Sequence, residues 1–163
     1  MKRLILLRHA KSDWADAATS DHERPLNKRG RRDAPAMGEA IAALGWTPEV
    51  VISSDAKRTR ETWERMRETL GGSAEPTFSS SLYLGDLEAI RLALAGVDDE
   101  VTTVMVIGHN PGWEDAASTL TGTSISLTTC NAAMLTVQAE SWDEAASLDS
   151  CWRLEHLLRP REL

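Results

Sequence analysis

The sequence predicts one α/β domain, a three-layer α/β/α sandwich with a mostly parallel central sheet. Three observations predict it. Short apolar runs at residues 3–7, 50–54 and 101–107 read as strands covered on both faces. Stretches with apolar residues at three- and four-residue spacing separate these runs, so strands and helices alternate along the chain. Finally, 163 residues, 42% of them apolar and 26% charged, suit a single core, and neither a linker nor an internal repeat divides them.

Arg3-Leu4-Ile5-Leu6-Leu7 is expected to be a central parallel strand, because it is almost wholly apolar and stops abruptly at charge. Residues 10–26, with Asp13, Asp16, Thr19, Ser20, Asp21 and Pro25, read as an exposed loop long enough to be functional. Asn27 offers an N-cap to a helix over 28–44, in which Ala34, Met37, Ile41 and Leu44 recur in register until Gly45 stops it. A turn at Pro48 leads into the second strand, after which Asp55 is expected to cap a helix that runs to Leu70 and ends at Gly71-Gly72. A weak extended piece near 75–78 precedes Leu82-Tyr83-Leu84 and a helix over 86–95. Residues 101–107 are rich in β-branched side chains and form the most strand-like segment, followed by a helix over 112–120. Residues 132–138 and 151–158 read as two strands joined by an acidic segment holding Glu140, Asp143, Glu144 and Asp149, and this pair is where an antiparallel strand would enter.

Eighteen basic side chains against twenty-five acidic ones leave a net charge of −7, which disfavours nonspecific attachment to nucleic acid or anionic lipid. No run approaches the roughly 18 apolar residues of a membrane span, and the apolar start is too short for a secretory signal, so a soluble cytoplasmic protein is expected. Cys130 and Cys151 are too few for a disulfide framework or a four-thiolate zinc site and are expected to be buried thiols.

In open parallel sheets ligands gather at the carboxyl ends of strands, so the residues after each apolar run carry the functional information. The first run delivers Arg8-His9-Ala10-Lys11-Ser12, the second Ser53-Ser54-Asp55-Ala56-Lys57-Arg58-Thr59, and the fourth Gly108-His109-Asn110-Pro111-Gly112. Two of the four histidines therefore share one structural address, beside arginines and with no carboxylate immediately adjacent. Two like charges about 4 Å apart cost on the order of 4 kcal/mol at an effective dielectric near 20, so such a cluster implies an anion to fill it. Forked guanidinium donors suit phosphate. A metal site is disfavoured because His9, His22, His109 and His156 show no short ligand spacing and adjacent arginines repel a cation. The chain also lacks a Gly-x-Ser-x-Gly elbow, a Walker loop and a dinucleotide fingerprint. Phosphate chemistry with a histidine nucleophile remains: neighbouring arginines penalise the protonated imidazole and bind the charge that develops.

At these residues the sequence resembles the histidine phosphatase superfamily, and in particular its short SixA-like phosphohistidine phosphatase branch, over nearly the whole chain. Arg8-His9-Ala10 is similar to the Arg-His-Gly signature in the variant seen in that branch. The resemblance implies that His9 is the phosphorylated nucleophile and Arg8 its phosphate-binding neighbour. Ser53-Ser54-x-Ala56-x-Arg58-Thr59 resembles the second signature, whose arginine matches Arg58, and Gly108-His109-Asn110 the third, making His109 the second pocket histidine. Asp21-x-x-Arg24-Pro25-Leu26-Asn27-x-x-Gly30 fits the branch's approach to its first helix.

Larger members carry an acidic proton donor on an inserted segment. Here the segment is short, and Glu75, Asp86 and Glu88 match no family motif, so the donor is unassigned. Phosphohistidine needs little such help, since its imidazole leaving group can be protonated near neutral pH. The expected protein is a metal-independent phosphatase without a cofactor that acts on phosphohistidine in proteins and binds phosphate or sulfate. Its rivals are a phosphatase of small phosphoesters or sugar phosphates and a catalytically silent phosphate-binding adaptor. Lys11, Arg24 and Asn110 are further substrate-binding candidates, with Lys11 equally able to point to solvent. Lys28, Arg29, Arg31 and Arg32 read as a solvated face or a patch that steers anions. Trp14 and Trp113 either wall the pocket or pack in the core, and His22 and His156 are expected to be structural or exposed.

Overall fold

The computed structural model describes residues 1–15 and 19–163, so Asp16, counted among the polar residues of the first loop, lies outside the described residues. Strands β1 (Lys2–Arg8), β2 (Val50–Ser54), β3 (Pro76–Ser79), β4 (Thr103–Gly108), β5 (Ala132–Val137) and β6 (Arg153–Leu158) form one sheet in the order β3-β2-β4-β1-β5-β6. The first four strands are mutually parallel, and β5 runs antiparallel to both of its neighbours, β1 and β6. Helices α1 (Lys28–Ala43) and α2 (Lys57–Leu70) cover one face, while α3 (Leu87–Ala95), α4 (Gly112–Thr121) and α5 (Trp142–Ser147) cover the other.

Two covered faces explain the unbroken apolar run of β1. Leu4 and Leu6 join a core with Ile90, Trp113 and Trp142, whereas Ile5 and Leu7 join one with Met37, Trp63 and Met66. Each fully buried Leu or Ile contributes about 1.5–3 kcal/mol, so the central strand is fixed in register from both sides. The predicted start of α1 holds: the Asn27 side chain accepts from the Gly30 amide at 2.9 Å. Gly30 has a second reason to be glycine, since a Cβ there would lie 2.2 Å from the Lys11 carbonyl oxygen. The start of α1 is thereby clamped against the loop that follows β1.

The structure corrects four expectations. Residues 10–26 do not form a simply exposed loop: Ser12 bridges Leu26, the Asp13 amide donates to the Pro25 carbonyl at 2.8 Å, and Ala10, Ser12, Arg24 and Leu26 are buried. The loop doubles back on itself, which local polarity does not report. Asp55 does not cap α2. Its carboxylate faces His22 Nε2 at 2.9 Å, and the N-cap is Ala56, whose own amide donates to Ser54 Oγ at 3.3 Å. The acidic segment before β6 contains α5, capped by Ser141 accepting from the Glu144 amide at 3.0 Å and anchored by buried Trp142. Cys130 is buried as expected, but Cys151 is exposed. Among the described residues no helix is long and apolar enough to cross a membrane.

Candidate active site

Strand register builds the site. Adjacent parallel strands β1 and β4 pair Arg8 with Gly108, so His9 and His109 emerge side by side, with ring centroids 5.2 Å apart. On the other side of β4, β2 pairs Ser53 with Ile107. That register carries Ser54 to the same level, where its Oγ lies 2.8 Å from His109 Nε2. Helix α2 begins three residues later and supplies Arg58 from its first turn. His9, Arg58 and His109 are buried and Arg8 is half-buried. Sequence reasoning placed these four residues in one site, and the fold brings them together.

The two histidines are wired in opposite senses. His9 Nδ1 lies 2.7 Å from the Ala10 carbonyl oxygen. A carbonyl only accepts, so Nδ1 carries the proton and Nε2 of the neutral ring keeps its lone pair. At His109 the partner is a hydroxyl. Ser54 Oγ already accepts from the Ala56 amide, and its hydroxyl proton finds an acceptor when it donates to His109 Nε2, which puts the imidazole proton on Nδ1. Burial pushes the pKa of His9 down to about 3, with His109, Arg58 and Arg8 pushing the same way against the Ala10 hydrogen bond. His109 is likewise pushed to about 3, by burial first and then Arg58, with Asp21 opposing. Both rings are neutral at neutral pH: one presents a nucleophilic lone pair and the other an N–H donor.

The arginines are compensated by a carboxylate that the sequence reading placed nowhere near the histidines. Arg58 donates to Asp21 twice, from Nη1 to the backbone carbonyl at 2.7 Å and from Nη2 to Oδ2 at 3.1 Å. The same carboxylate accepts from Arg24 Nε and Nη2 at 3.2 and 3.0 Å and from the Tyr83 hydroxyl. That phenol, more than any other group, holds Asp21 well below the usual carboxylate range, and Arg24 and Arg58 reinforce it. Tyr83, the only tyrosine in the chain, also sets its ring edge-on to His109 with centroids 5.5 Å apart. Asp21 and Tyr83 are the site residues that sequence reasoning missed. The available signals were the i, i+3 pairing of Asp21 with Arg24 and the uniqueness of Tyr83.

Among the described residues, four buried side-chain polar atoms have no hydrogen-bond partner, and three of them are Arg8 Nε, Arg58 Nε and His109 Nδ1. A buried donor left unpaired costs about 1–3 kcal/mol, so three on one pocket weigh heavily against a domain stability of about 5–15 kcal/mol. All three belong to the arginines and histidine gathered around His9.

The other sequence candidates divide. Arg24 is buried, donates to Ser12 Oγ as well as to Asp21, and lies against the Trp14 ring 3.4 Å from its centroid. Its partners make it part of the frame of the pocket. The Asn110 amide donates to the Leu127 carbonyl at 2.7 Å and to Glu114 at 3.3 Å, which ties the loop before β5 to the start of α4. Arg8 Nη1 donates to the same Leu127 carbonyl at 3.0 Å. Lys11 is half-buried, and its carbonyl accepts from the Asn27 amide. Trp113 packs in the core with its indole N–H on the Val106 carbonyl, whereas Trp14 is 68% exposed and does not pack there. Lys28, Arg29, Arg31 and Arg32 are all exposed. Glu75 pairs with Arg67, Asp86 caps α3, and Glu88 pairs with Arg91, so each of the three acids weighed as proton donor is engaged in a local contact of its own. His22 meets the Tyr83 ring edge-on at 4.8 Å, and His156 packs edge-on to Trp46.

Comparison with known proteins identifies the family and the fold. The family model for the histidine phosphatase superfamily (branch 1) matches residues 4–82, the part that holds Arg8, His9, Asp21 and Arg58. A chloroplastic protein of Arabidopsis thaliana, described as uncharacterized, is 43% identical over 170 aligned positions spanning 98% of this chain and 78% of its own. A solved structure from Agrobacterium tumefaciens, assigned as phosphohistidine phosphatase SixA, has a TM-score of 0.81 at 28% identity and covers 98% of each chain. A SixA protein histidine phosphatase solved with tungstate shares the fold, with a TM-score of 0.83 at 22% identity over 98% of each chain.

Proposed function

The chain belongs to the histidine phosphatase superfamily, and from that premise we propose that it removes phosphate from phosphohistidine in proteins through a phospho-His9 intermediate. The observation that carries the reading is the set of unpartnered buried donors on Arg8, Arg58 and His109 beside a neutral His9 with a free Nε2 lone pair. His9 Nε2 attacks phosphorus and the bond to the leaving imidazole breaks, that imidazole departing protonated. Water then attacks phospho-His9, the Nε2–phosphorus bond breaks, and inorganic phosphate leaves. Arg8, Arg58 and His109 hold the phosphoryl oxygens through both steps. The reaction needs no metal, since the pocket is cationic and the nucleophile is a side chain. A SixA protein with the same fold was solved with tungstate, an oxyanion related to phosphate, which supports anion binding.

The phosphohistidine assignment is supported by the state of Asp21. The carboxylate that reaches Arg58 is held ionised and has no proton to give an alkoxide, whereas imidazole leaves as a stable neutral group once protonated. Rapid mixing with a labelled phosphohistidine protein should trap an acid-labile, alkali-stable phosphoenzyme and give faster turnover than sugar phosphates or other small esters. Faster ester turnover would move the assignment to small substrates, and an unlabelled protein would leave an adaptor.

A further inference from the structure

We infer that the cleft between the start of α1 and the residues after β6 docks an acidic segment of the phosphoprotein substrate. The inference rests on the phosphohistidine reading above and extends it to the protein surface around the reacting side chain. The cleft has a volume of about 480 Å³ and is lined by Arg29, Arg32, Arg161, Asp33, Thr128 and Thr129, among others. In a protein of net charge −7, one carboxylate side chain here faces three guanidiniums. Asp33 pairs with Arg29 at 3.8 Å and with Arg32 at 3.3 Å and leaves the excess positive. The first turn of α1 contains no acid, although the helix macrodipole favours anions at that end. Asp33 answers only part of this charge, and carboxylates from outside would complement the rest through bidentate pairing.

Its position ties the cleft to the reaction. Thr129 accepts from Arg29 Nη2 at 3.2 Å and directly precedes Cys130, whose amide donates to the His9 carbonyl at 2.9 Å. The next residue, Asn131, accepts from the Arg8 amide at 3.1 Å. With consecutive Cα atoms about 3.8 Å apart, the cleft wall begins within roughly 10 Å of His9, a span of about three extended residues. A polypeptide with its phosphoimidazole in the pocket has neighbouring residues long enough to reach the arginines, and a small phosphate ester does not.

Arg32, 72% exposed at its side chain, and exposed Arg161 are the positions to reverse, as Arg32→Glu with Arg161→Glu. Arg29→Gln is the milder companion, because Arg29 holds Thr129 as well as buried Asp33. With a phosphohistidine protein that carries acidic residues beside the phosphorylated histidine, the double variant should raise KM about tenfold at unchanged kcat and lose the wild-type dependence of kcat/KM on salt. With free phosphohistidine it should match wild type. An equal effect on both substrates, or none on the protein, overturns the docking site. If the wild-type protein turns over neither substrate, the phosphohistidine reading fails separately. Fluorescence anisotropy of a labelled oligoglutamate then decides the cleft: binding lost in the double variant supports it, and absence of wild-type binding overturns it.

Discussion

His9 and His109 sit 5.2 Å apart at the ends of neighbouring strands, both neutral, and they are prepared for opposite tasks. The loop after β1 turns a carbonyl toward His9 Nδ1, which leaves a lone pair on Nε2. The loop after β4 sets His109 Nε2 against a serine hydroxyl from β2, which leaves a proton on Nδ1. In the proposed reaction the same residue type in the same field serves as nucleophile at one position and oxyanion donor at the other. The difference lies in the partner atom behind each ring and not in the charge around it.

The largest break in that comparison is His9→Ala, which should abolish the phosphoenzyme and lower kcat at least about 10⁴-fold. His109→Ala, by contrast, should retain the burst in rapid-quench experiments at a reduced rate. Arg58 faces both rings, and Arg58→Ala should cost about 10²- to 10³-fold in kcat, in line with removal of one oxyanion donor. Ser54→Ala sharpens the comparison further. It should lower kcat by about tenfold, and nitrogen NMR should show the His109 proton redistributed between its two nitrogens while His9 keeps its tautomer. The smallest effect is a titration. NMR should find His9 and His109 uncharged from pH 8 to pH 5, while His22, raised by its hydrogen bond to Asp55, titrates above the usual imidazole range. Because the two pocket pKa values are depressed, the unfolded chain takes up protons first on acidification. Their contribution to stability is complete above about pH 6.5 and should be lost as pH falls toward 3, read as a falling Tm.

The strands, the α1 cap at Asn27 and the quartet of Arg8, His9, Arg58 and His109 were legible because each depends on neighbours within a few positions: apolar runs, a capping spacing, a short signature after a strand. What stayed hidden depends on distant pairings. Asp21 and Tyr83 are 62 positions apart and meet only because the first loop doubles back beside the turn after β3. Asp55 looked like a helix cap by local rules, but tertiary structure placed His22 beside it. Helix α5 was legible in principle from Ser141 and Glu144 three residues apart, yet its acidic composition resembles a surface loop. The tautomers were beyond reach, since they depend on which atom each ring nitrogen meets after folding.

Five of the six tryptophans are almost wholly enclosed, and Trp14 alone is open to solvent, its ring against the guanidinium of Arg24. The molecule therefore carries its own optical reporter. Acrylamide should quench the red-shifted share of the emission that comes from Trp14 and spare the rest. Since Arg24 shares the Asp21 carboxylate with Arg58, arrival of vanadate or phosphate should register as a change in that accessible fluorescence, so anion affinity can be followed without a label.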